Sequence, residues 1–152
     1  MISSALRYAG LGLAVLPVSG KRPLVPWAEW REVGAPVEQV RAWWDRWPWA
    51  GVALVTGRAS GLDVVDVEFD HLDAIEPEWR RGDPPESETR RGGRHLFFEH
   101  DDESCTGPLV VGGTKIGDVR AAGGIVVVPP SIGYAWLVPL RLRDLPLPPP
   151  VT

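Results

Sequence analysis

The sequence predicts a mixed α/β domain of the α+β kind, not a doubly wound parallel sheet. Three observations carry this. Helical patterns come early, strand-like runs dominate later, and several of those runs lie close enough together to pair as hairpins. At 152 residues, with 44% hydrophobic and 24% charged residues, the chain is one ordinary domain that can bury a sizeable core.

Along the chain, Ser3 or Ser4 is placed to cap a short first helix through Tyr8, and Leu11 to Val18 reads as a buried strand. The stretch SGKRPLVPWAEW holds too many breakers for a regular element and reads as a loop. After Pro36, the residues Val40, Trp43, Trp44 and Trp47 fall at the i, i+3, i+4, i+7 spacing of an amphipathic helix, and Pro48 marks its exit. These tryptophans are suited to stacking on bases, but helical spacing makes them core residues first. GVALVTG and GLDVVDVEF read as strands, and His71 to Trp79 as a helix. SETRR and RHLFFE flank a Gly92-Gly93 turn, and KIGDVRA, GGIVVVPPS and YAWLV are β-like. Residues 1–140 thus form the expected domain. Residues 141–152 form a proline-rich tail, polyproline-like from Leu145, which reads as a linker to further domains.

Composition narrows the function classes. The lone Cys105 forbids an intramolecular disulfide and suits a reducing cytoplasm. The apolar run after Arg7 is short, contains Pro17 and lacks a cleavage site, so it does not read as a signal peptide. No segment approaches the roughly 20 apolar residues that span a bilayer. A formal net charge of -4 opposes a grip on nucleic acid by bulk electrostatics, while leaving room for a local basic surface. There is no P-loop, and His95, His100 and Cys105 match no common zinc spacing.

The sharpest chemistry lies in LDVVDVEFD. Strand alternation puts Asp66 and Glu68 on one face, with Val65, Val67 and Phe69 on the opposite, core-facing side. Two carboxylates side by side on a half-buried strand repel each other and call for a cation; divalent ions bridged by carboxylates serve in-line phosphoryl and nucleotidyl transfer. Taken alone, the segment fits a solvated strand face equally well. In TRRGGRH, two glycines allow a close backbone approach to a ligand, and Arg94 and His95 are suited to phosphate oxygens, though alternation sends them to opposite faces. Taken alone, this is also a hairpin turn with a surface histidine. In KIGDVR, Ile116, Asp118 and Arg120 share a face just after Lys115, an arrangement that suits a metal beside a triphosphate or a plain salt bridge.

The order of these segments is more informative than any one of them. GKRPLVPW, VTGRASGLDVVDVE, GGRHLFF, GDVRAAGGIVVVPPS and YAW, in that order, resemble the amino-terminal domain of bifunctional DNA primase/polymerases of plasmids, phages and integrated elements. That family lies within the archaeo-eukaryotic primase superfamily, and the resemblance covers about residues 4–137. It implies an α/β unit joined to an RRM-like unit with the active site in the cleft between them. It implies metal ligands at Asp66, Glu68 and Asp118, a phosphate-contacting histidine at His95, and a role for Lys21 toward nucleotide or template. Charge and nearness add Lys115 and Arg120 as triphosphate contacts, beside Arg94. The implied activity is template-dependent nucleotidyl transfer with two Mg²⁺ or Mn²⁺ ions. Its expected partners are nucleoside triphosphates, a single-stranded or primed DNA template, and a fused helicase or accessory helical domain. The chain departs from the family at Arg91, where a small hydroxyl residue is common, and in the short segment between Asp70 and Glu88. Two rival readings remain: a catalytically degenerate nucleotide-binding or interaction module, and a metal-dependent nuclease or phosphohydrolase.

Overall fold

Among residues 1–149, which the computed structural model describes, two α-helices and two antiparallel sheets make up the fold. Helix α1 (Ile2–Gly10) starts at a Met1 cap that offers no side-chain hydrogen bond, so Ser3 and Ser4 lie inside it and do not cap it. Its boundary follows burial: Ala5 and Tyr8 are buried, one turn apart. Helix α2 (Val37–Arg46) follows the expected spacing, with Val40, Trp43 and Trp44 buried. The Trp44 indole N–H donates to Ala50 O at 3.1 Å, so its one polar atom is satisfied.

The first sheet has the order β2-β1-β3-β9. Its strands are β1 (Val15–Ser19), β2 (Arg22–Pro23), β3 (Gly51–Val55) and β9 (Ile125–Val128). The expected first strand is shorter than its apolar run, because Leu11 and Gly12 form a turn after α1 and Gly12 takes a φ of 87°. The expected loop after it contains β2, a hairpin return that leaves Lys21 exposed at its tip.

The second sheet runs β10-β5-β6-β4-β8-β7. It comprises β4 (Leu62–Val67), β5 (Glu86–Glu88), β6 (Arg94–Glu99), β7 (Gly107–Val111), β8 (Thr114–Arg120) and β10 (Ala135–Val138). The sequence reading missed β7, although Gly112 and Gly113, with φ of 57° and 81°, make the two-residue turn that pairs it with β8. The helix expected over His71 to Trp79 is two 3₁₀ helices, Phe69–Ala74 and Pro77–Arg80. Pro77 disfavours helical geometry at Glu76, which is extended at φ -75°, ψ 147° and divides them.

β4 is buried on both faces. Leu62 and Val64 join the main core with Phe97, α1, α2 and the first sheet, whereas Val65 and Val67 pack in a second core with Leu96, Phe98, Ile116 and Trp79. Each such fully buried side chain contributes about 1.5–3 kcal/mol. Phe69 does not continue the core face as expected. It lies past the strand end and is 61% exposed. Ile116 packs with Val65 and Val67, away from the face that carries Asp118. Residues 141–149 have no helix or strand, but they are docked: Leu142 and Leu145 pack on the main core, and Glu99 N–H donates to Pro146 O at 2.9 Å. The last three residues of the expected linker lie outside the described residues.

Candidate active site

Strand register builds the site. β4 lies between β6 and β8, and pairing sets Asp66 opposite His95 on one side and opposite Asp118 on the other. Directly paired residues project from the same face of a sheet. Asp118, Asp66 and His95 therefore stand in one row across three strands, which Ser87 of β5 extends. Arg120, opposite Val64, shares the face. Across from this row stand β9, the Lys21 turn and the β5–β6 turn, and they enclose a cavity of about 160 Å³. Asp66, His95, Arg120, Lys21, Arg91 and Tyr134 all reach it.

The row is only partly satisfied. His95 is buried, with Nε2 3.5 Å from Asp66 Oδ1, and its Nδ1 has no hydrogen-bond partner among the described residues. Ser87 Oγ, across the strand pair, is also buried and unpaired. Leaving a buried polar atom unpaired costs about 1–3 kcal/mol, and a catalytic role, an ion or a water ordinarily accounts for one. Tyr134 stacks on the imidazole at a centroid distance of 6.3 Å, and Phe97 meets it edge-on. Burial pushes the Asp66 pKa up, but the His95 contact and the charges of His95, Arg120 and Lys21 outweigh it and hold the carboxyl below its ordinary value. Burial and the Asp66 charge push the Tyr134 phenol the other way, so it stays protonated.

The other expected residues divide. Asp118 is half-buried, 3.3 Å from Arg120 and 3.8 Å from the exposed Lys115. Lys115 does not line the cavity. Glu68 lies one residue past β4, extended and exposed, with its N–H donating to Ile116 O at 2.9 Å, and it does not line the cavity. Among the described residues, no three His, Cys, Asp or Glu side chains converge as a metal-binding group. Asp66 and Asp118 instead form a cross-strand pair, of which Asp66 alone lines the cavity. That pair still fits a hard divalent cation, because Mg²⁺ takes one or two carboxylates and completes its shell with water and phosphate oxygens.

Arg94 leaves the site altogether. It lies 3.6 Å from Glu86 and 3.7 Å from Glu88 and donates to Gly92 O and Gly93 O, so it clamps its own turn. The paired glycines pack closely on the chain itself. A Cβ on Gly93 would lie 2.5 Å from Val67 O, and one on Gly92 would lie 3.0 Å from the Phe69 ring. Sequence reasoning passed over Tyr134 and Arg90 as site residues, and it took Arg91 as a departure from the family pattern, whereas all three line the cavity. The YAW segment held the one signal for Tyr134, since nothing local says that it packs on His95.

Fold and site together define a class: an α+β domain whose cleft gathers an aspartate, a histidine and several cations around room for an anionic ligand. The family follows from comparison. Residues 5–148 match the model of the bifunctional DNA primase/polymerase, N-terminal domain, and the chain belongs to that family. None of the curated proteins compared with the chain matches it. Membership carries a DNA primase/polymerase role of the nucleotidyltransferase type, with nucleotides and DNA as partners. Among the described residues, no helix is long and apolar enough to cross a membrane.

Proposed function

We propose that this domain performs template-dependent nucleotidyl transfer as a DNA primase, a polymerase or both, in the replication of a plasmid, phage or mobile element. The observation that supports this best is the row Asp118–Asp66–His95, of which Asp66 and His95 line a small cavity together with Lys21, Arg91 and Arg120. In this reading the two sheets are the α/β unit and the RRM-like unit of the family, and the cleft between them is the active site.

His95, Lys21 and Arg120 seat the triphosphate of the incoming nucleotide. Asp66, ionised because neighbouring cations outweigh burial, and Asp118, beside it, hold Mg²⁺ or Mn²⁺, with Glu68 as the third expected ligand. When bound, two such ions neutralise charge on the pyrophosphate and lower the pKa of the attacking 3′-hydroxyl. Arg120 passes from Asp118 to the phosphates, a short move for a residue already lining the cavity. Tyr134 holds the imidazole in place from one side. Positioning and electrostatics are nearly all that such sites supply, so each fixed group is worth several kcal/mol in the transition state.

The catalytically silent reading has one specific observation in its favour: Asp118 is tied to Arg120 and Lys115, and no three-ligand group converges among the described residues. Incubation with primed template, Mn²⁺ and labelled nucleotides separates the readings. Primer extension supports transfer, shortening supports a nuclease, and nucleotide binding without either supports the silent module. We further propose that the domain works in the cytoplasm with a helicase or accessory helical domain that holds the DNA for it. With net charge -4, the chain alone should bind single-stranded DNA only above roughly a micromolar, the range of non-specific binding, which fluorescence anisotropy at about 0.15 M salt measures.

A further inference from the structure

A second, larger cavity of about 570 Å³ adjoins the catalytic one, and the two share Lys21, Arg90, Arg91, Val127 and Tyr134. The catalytic cavity, at about 160 Å³, cannot enclose a whole nucleoside triphosphate, since pockets for small-molecule ligands measure about 300–1,000 Å³. A ligand whose phosphates fill the smaller space extends beyond it, and the larger cavity adjoins that space.

The chemistry of the second wall says what extends there. Trp49 is 60% exposed and Ile132 is 85% exposed, and both line it. Trp43 and Trp44, a few residues earlier, are buried, so this chain has room for indoles in its core and leaves Trp49 outside it. No acidic residue lines the cavity, in a chain of net charge -4. Arg90 runs past Gly133 at the junction, close enough that a Cβ on Gly133 would lie 2.8 Å from Arg90 Cγ. The Ser131 hydroxyl, a polar group on this wall, is already used, accepting from Val52 N–H at 2.8 Å and donating to Val52 O at 3.2 Å. The wall thus offers an indole face for a ring, while its charged side chains, Lys21, Arg90 and Arg91, gather at the junction with the catalytic cavity.

We propose that the second cavity receives the base and sugar of the incoming nucleotide, with the base stacked on Trp49 beside Ile132, and that it accepts all four bases alike. This rests on the transfer reading above. In templated synthesis the base is read by pairing with the template, so a protein wall that gripped base edges would compete with it. Aromatic stacking tolerates every base because each presents a π-face.

Calorimetry with non-hydrolysable analogues of the four nucleoside triphosphates, and with inorganic tripolyphosphate, tests the proposal. The wild type should bind the four analogues within about threefold of one another, and Trp49→Ala should weaken each by about tenfold while leaving tripolyphosphate unchanged. Trp49→Phe should restore most of the loss. Unchanged analogue binding by Trp49→Ala, or a wild-type preference for one base beyond about tenfold, would overturn the proposal. So would an effect of Trp49→Ala confined to a single-stranded oligonucleotide, which would make this the template's cavity. In each of those cases, tripolyphosphate binding that still depends on His95 leaves the transfer reading standing. Tripolyphosphate that fails to bind the wild type defeats the transfer reading itself.

Discussion

Two aspartates of β4 meet histidines in pairs of opposite character, Asp66 with His95 of β6 and Asp63 with His100 just past the end of β6. Asp63 and His100 form a closed pair: Nδ1 lies 2.7 Å from Oδ1, the other carboxylate oxygen accepts from Asp101 N–H at 2.9 Å, and His100 Nε2 lies 3.3 Å from Asp102. Asp66 and His95 form an open pair, 3.5 Å apart, with a buried nitrogen left over and a cavity in front. The residue types are the same and both aspartates come from β4. The difference is unused hydrogen-bonding capacity, which a structural pair cannot afford and a binding pair requires.

Exchanging the roles experimentally is the most direct way to break this contrast. Asp66→Ala should lower primer extension by at least about a thousandfold, with stability in urea changed by no more than about 1 kcal/mol. If the protein stays folded and extends primers normally, the open pair is not the site. Gly117→Ala tests the frame that holds it, because the new Cβ would lie 1.8 Å from Asp66 O. Relief of that clash must separate β8 from β4, costing about 3 kcal/mol and most of the activity together.

Asp63→Ala should show the inverse of Asp66→Ala. It leaves His100 and the Asp101 amide without their partner, so denaturation should record a loss of about 3 kcal/mol, while activity per folded molecule stays within a few-fold. The histidines sharpen the comparison further: His95→Ala should weaken nucleotide binding about tenfold, the value of one charge-assisted contact, whereas His100→Ala should leave that affinity unchanged.

The smallest effect is in acid. The folded pKa of Asp66 lies below its unfolded value, so its contribution to stability is fully present above about pH 4 and is lost as pH falls through the folded pKa. Asp66→Asn should therefore flatten the acid limb of a stability profile below about pH 4. An unchanged limb would mean that the cations around Asp66 do not act on it in solution.

Local periodicity made much of this legible before any coordinates. The spacing of Val40, Trp43 and Trp44 identified α2, and alternation in LDVVDVEF placed Asp66 opposite Val65 and Val67. The same alternation separated His95 from Arg94 in advance, although it did not say which of the two faces the cleft. Motif order tied Asp66, His95 and Asp118 to one site across more than fifty positions, which no window of local pattern reaches. Tertiary structure decided what depends on partners distant in sequence. The β4 register set His95 and Asp118 on either side of Asp66, ion pairs with Glu86 and Glu88 drew Arg94 away, and packing brought Tyr134 onto the imidazole. The reason is physical. The face a side chain takes follows from the backbone geometry of a few neighbouring residues, whereas the group it meets there is chosen only when the whole core closes and fixes the register.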